Sequence, residues 1–105
     1  MSISIANVTT STANVYSSSG NTAVTFLSIT NYSVANVNAN VYVVPSGVAV
    51  GNVLNTIVSN ILIATGDTYQ LYAGNEKLIL DNDDSIRMNA SANNSIAVTV
   101  SYTSI

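Results

Sequence analysis

From residue 36 to residue 43 polar and apolar side chains alternate without a break. Val37, Ala39, Val41 and Val43 fall on one side and Asn36, Asn38, Asn40 and Tyr42 on the other. Successive side chains of an extended chain point to opposite faces, so a period of two fits a strand with one face in a core and one in water. A helix would scatter the same residues around its axis. The C-terminal segment repeats the pattern, with Ile96, Val98, Val100 and Tyr102 set against Ala97, Thr99 and Ser101. Segments that are apolar on one face must bury that face against another layer, which points to sheet packed on sheet.

The remaining segments agree. Ile3 and Ile5 open a first strand, Ala13 and Val15 mark a second, and residues 22–30 make a third through Val24, Phe26, Leu27 and Ile29. Ser17-Ser18-Ser19-Gly20-Asn21 separates the second and third, and Pro45-Ser46-Gly47 halts the ladder after the Asn36 strand. Residues 48–64 are ambiguous, because Val53, Leu54, Ile57, Val58, Ile61 and Leu62 also suit a helical period. Their β-branched content, with Gly51 and Asn55 as interruptions, predicts a loop and then a strand from Thr56. Thr65-Gly66-Asp67 turns into a strand over 69–72, and Ala73-Gly74-Asn75 turns into one over 77–80. Residues 81–84 form a further turn, followed by Ile86, Met88 and Ala90 on one face. About eight short strands separated by turn signals predict an all-β fold, an antiparallel β-sandwich or jelly-roll-like domain. One domain spans residues 1–105, with 1–9 a candidate N-terminal arm or strand-exchange segment.

Charge distribution is the second constraint. Every charged side chain lies between Asp67 and Arg87, and charged residues make up 7% of the chain against 48% hydrophobic. An ordinary soluble domain carries about 25% charged residues. Ser, Thr and Asn must therefore do most of the solvation, and a free monomer has little electrostatic repulsion to hold copies apart. Such a composition predicts a surface covered by copies of the same chain or by a larger body. The abundance of Val, Ile and Thr argues against disorder. Apolar runs such as residues 41–44 and 61–64 fall far short of the ~20 residues of a membrane helix, so no membrane partner is expected.

Catalysis has little to work with. The chain has neither His nor Cys, and no Ser lies in a Gly-x-Ser-x-Gly setting, which leaves Lys77 as the one conceivable base. No catalytic residue is assigned and no cofactor is expected. Asp81, Asp83 and Asp84 are the one candidate Ca²⁺ cluster, opening like an EF-hand loop but without its glycine and terminal glutamate; a turn capped by its own Asp and Asn side chains is the simpler reading. If strand 77–80 pairs with 86–90 as a hairpin, Lys77 and Arg87 end beside these carboxylates in a charged rim. With one Lys and one Arg, the chain cannot neutralise a phosphate backbone, which excludes nucleic acid as a partner. Sequons at Asn7, Asn31, Asn89 and Asn93 are expected by chance at this Asn, Ser and Thr content.

What remains is interaction. Uncharged open strand edges invite pairing with other chains, and segment 41–44 has no charged residue near it. Ile3, Ile5, Tyr42, Val44 and Tyr102 are the candidate interface residues.

The segments Ala64-Thr65-Gly66-Asp67-Thr68-Tyr69, Glu76-Lys77-Leu78-Ile79-Leu80-Asp81, Asp84-Ser85-Ile86-Arg87 and Ala97-Val98-Thr99-Val100-Ser101-Tyr102 resemble small β-sandwich virion proteins of tailed bacteriophages. The resemblance extends over about residues 20–105, through the Val-Tyr-Val-Val-Pro-Ser-Gly strand and turn. It implies a non-enzymatic structural protein of the virion, made in the host cytoplasm and built into the particle in many copies. The opening residues, which lack the basic and continuous apolar regions of a secretory signal, fit that expectation. A capsid decoration (cement) protein bound to itself and to the major capsid protein is the leading form. A tail, neck or fibre-associated subunit and a carbohydrate-binding sandwich are the alternatives.

Overall fold

In a computed structural model, residues 2–47, 55–71 and 78–105 are described. Among the described residues nine strands follow in order: β1 (Ser2–Val8), β2 (Ala13–Ser17), β3 (Thr22–Asn31), β4 (Val37–Val44), β5 (Thr56–Ile63), β6 (Thr68–Leu71), β7 (Leu78–Leu80), β8 (Ser85–Ala90) and β9 (Ile96–Ser104). They form two antiparallel sheets. The first, sheet A, runs β1-β9-β3-β6, with β7 pairing a second stretch of β3; the second, sheet B, runs β2-β8-β4-β5. Counting β6 and β7 as one interrupted position, this is the strand order of a jelly roll, in which the chain passes from one sheet to the other at every connection except β4 to β5. The predicted sandwich is therefore the fold, and residues 56–63 are a strand as their β-branched content required.

Alternation dictates which side chains meet between the sheets. Val37, Ala39 and Val41 of β4 are buried and join Ile86 and Met88 of β8, Ile96, Val98 and Val100 of β9, and Leu27 and Ile29 of β3 in one continuous cluster. Tyr16 of β2 and Tyr102 of β9 stack across one end of that core with ring centroids 4.5 Å apart. Register shifts break the period of two in β2 and β3. One such shift lies between Asn14 and Tyr16 of β2, where Val15 and Tyr16 are both buried. Another lies between Val24 and Phe26 of β3, after which Leu27 and Ile29 take the inward positions and Phe26 turns to the outer face.

Three sequence expectations are corrected. The 81–84 turn is not a hairpin: β7 pairs with β3 in sheet A and β8 with β2 and β4 in sheet B, so the turn is a corner between sheets. The reason is that Leu80 and Ile86 both enter the core, but from opposite layers. Residues 41 and 42 are not an open edge, because there β4 lies between β8 and β5. Val44 is buried, at 3% exposure, and offers no interface. Residues 2–8 are not a free arm, since all seven pair with β9 of the same chain from Ser2↔Tyr102 to Val8↔Ile96. The turn expected at Ala73-Gly74-Asn75, the loop before Thr56 in its 48–54 part, and Lys77 with Glu76 lie outside the described residues.

Candidate interaction surface

The outer face of sheet A is built from the residues that alternation turns away from the core. Ile3, Ile5 and Asn7 of β1 stand opposite Ser101, Thr99 and Ala97 of β9, which in turn stand opposite Phe26, Ser28 and Thr30 of β3. Thr68 and Gln70 of β6 and Ile79 of β7 continue the face. None of the five strands of this sheet contains a charged residue. Ile3 and Ile5 are 70% and 78% exposed, and Ile79 is exposed on the far side. Lone exposed apolar residues are ordinary on a protein surface; two on one uncharged strand, beside further apolar surface, form a patch.

That further surface is a groove of about 600 Å³ floored by β9 at Ala97 and Thr99 and walled by Ile5 on one side and Tyr32 on the other. The Tyr32 hydroxyl donates to Asn7 Oδ1 at 3.1 Å, so the ring is held across the end of β9 towards β1. Tyr32 and the β9 outer residues were not among the sequence candidates. Residue 32 joins residues 5–7 only through the placing of β9 between β1 and β3, a long-range pairing that no local pattern announces.

Sheet B presents a different outer face. Asn40 Nδ2 donates to Asn89 Oδ1 at 2.7 Å, and Asn40 Oδ1 accepts from the backbone N–H of Asn60 at 2.7 Å. Asn38 Nδ2 donates to Asn60 Oδ1 at 2.8 Å, and Asn89 Nδ2 donates to Thr12 Oγ1 at 2.8 Å. Tyr42 and Arg87 are cross-strand neighbours beside this lattice. The amides bond mainly to one another, an arrangement that locks the register of β4 against β8 and β5. Asn60 itself has a positive φ of 52°, at the irregularity where Asn40 faces β5. Tyr42 is half-buried here, and Tyr102 is half-buried against Tyr16, so neither projects freely.

The acidic corner between β7 and β8 is tied to its neighbours. Asp84 accepts from the backbone N–H groups of Ser46 at 2.9 Å and Asp81 at 3.0 Å, one on each carboxylate oxygen. Ser18 N–H donates to the Asp84 carbonyl at 2.8 Å, Asp83 N–H to the Ser18 carbonyl at 2.9 Å, and Gly20 N–H to Asn82 Oδ1 at 2.8 Å. Gly20 and Asp83 both adopt positive φ, as such tight turns require. Asp81, Asp83 and Asp84 are not gathered into a group able to hold a metal ion. The corner works as a clasp that joins the 81–84 turn to the β2–β3 turn and to the residues after β4.

No protein-family model, no curated protein and no solved structure matches the chain. The surfaces themselves are therefore the basis for a functional reading.

Proposed function

We propose that this protein is a non-enzymatic structural protein of a tailed-bacteriophage virion, a decoration (cement) protein that docks in many copies on the major capsid protein. The observation that carries the reading is a five-stranded sheet free of charged residues, whose outer face carries Ile3, Ile5 and Phe26 among Ser, Thr and Asn. Covering such a face desolvates no ion, which is the largest penalty in burying polar surface. Each buried Å² of its apolar part contributes about 25 cal/mol before the cost of association is subtracted. The resemblance to phage virion sandwiches supplies the kind of particle, and the absence of His and Cys from the sequence leaves no ordinary catalytic set.

Mixing the purified protein with empty phage shells and, separately, with isolated tails, then separating by size, tests the proposal. Co-migration with shells is the expected result. Binding to tails alone would replace decoration by a neck, tail or fibre role, and binding to neither would overturn the virion reading.

A further inference from the structure

A sandwich of this kind has four strand edges, and three of them are blunted. β2 carries a bulge between Asn14 and Tyr16. β5 carries two register shifts and the positive φ of Asn60. The far edge of sheet A is divided between β6, of four residues, and β7, of three. Bulges and short strands are the usual devices that keep an edge from pairing with another chain. β1 has none of them. Its seven residues pair with β9 in unbroken register, it contains no Pro and no charge, and among the described residues no strand lies on its other side.

From this contrast we infer that β1 is the subunit contact of a twofold homodimer, formed by antiparallel β1–β1 pairing that joins the two A sheets into one. The second copy is the occupant because the strand complements itself. Full overlap sets Ile5 against Ile5, Ile3 against Asn7 and Ser4 against Ala6 of the other copy, with every outward residue meeting an outward residue. A twofold axis brings identical groups together, so a charged edge would repel itself there; a charge-free strand has no such term. The isoleucines at positions 3 and 5 of both copies then form one apolar stripe across the joint, and the charge-free outer face doubles in extent. The contact rests on no property of a shell, so it stands or falls apart from the virion role.

Light scattering coupled to size separation, on the wild type over a range of concentrations, tests it. The expected mass is twice the 10.9 kDa of the chain. Ile5→Lys places two lysines opposite each other and should return the protein to a single-chain mass. Because Ile5 is 78% exposed in the single chain, the variant should still fold, with a melting temperature lowered only by the lost association and no longer dependent on concentration. The chain has no Cys, so Ile5→Cys under oxidising conditions reports on that position alone and should cross-link into a dimer, whereas Ile79→Cys on β7 should not. A monomeric wild type, a threefold mass, an oligomer unaffected by Ile5→Lys, or equal cross-linking by Ile79→Cys would each overturn the inference.

Discussion

Asn31 sits where β3 leaves sheet A, fully buried, and all four hydrogen-bonding positions of its amide are filled from within the protein. Nδ2 donates to the carbonyls of Ala35 at 2.7 Å and Ile63 at 2.9 Å, and Oδ1 accepts from Ser33 N–H at 2.9 Å and Ser33 Oγ at 2.7 Å. Ile63 ends β5 in the opposite sheet, so this one side chain tethers the two layers where no strand pairing can. Removing it takes the side-chain donor from the buried Ile63 carbonyl, at about 1–3 kcal/mol, and leaves the Ala35 carbonyl with Ser33 Oγ alone. We expect Asn31→Ala to destabilise the fold by about 2–4 kcal/mol, and Asn31→Asp at least as much, since a carboxylate cannot donate to those carbonyls. Urea denaturation of the three proteins is the check, and equal midpoints would refute the tether. In sequence Asn31 stands out only as one of four chance sequons; its burial came from the strand crossing above it.

Among elements, the corner between β7 and β8 departs furthest from its sequence reading. Asp-Asn-Asp-Asp composition suits any tight turn, and nothing local distinguishes a hairpin within one sheet from a crossing between two. What decides is where the flanking strands bury Leu80 and Ile86, and that depends on β3 and β4. By contrast β4 and β9 were legible because their alternation runs over residues 37–43 and 96–102. β5 was legible as a strand from its β-branched residues, although its register shifts were not. The bulges were half visible, in adjacent apolar pairs such as Val15-Tyr16 and Phe26-Leu27. Among the interface candidates, Ile3 and Ile5 stood out as isoleucines among small polar residues, whereas Val44 misled because its flanking strands are distant in sequence. The clasp gives a second expected outcome. Asp84→Ala removes the acceptor for two backbone N–H groups and should lower stability by about 1–3 kcal/mol. Thermal melting of wild type with and without Ca²⁺ should give one curve; a calcium-dependent rise would reinstate the acidic corner as a metal site.

The whole molecule is a slab, 38 × 29 × 19 Å, and the charges among the described residues are gathered in two turns and on β8 rather than spread over its faces. A net charge of −3 is a small reserve of repulsion, and it vanishes near the sequence pI of about 4.1. Solubility should therefore fall steeply as the pH is lowered towards 4 and recover on neutralisation; turbidity followed across that range reads it, and a flat profile would show that the Ser, Thr and Asn surface suffices alone. The topology also governs when the fold can form. β9, the last strand made, lies between β1, the first, and β3. Sheet A cannot close until residues 96–104 have left the ribosome, and until then β1 and β3 wait without their central neighbour. Pairings this distant in sequence make for folding on the slower, millisecond-to-second scale. During that interval the nascent chain exposes uncharged strands to every other nascent copy, so the yield of folded protein should depend on the rate of synthesis and on chaperones.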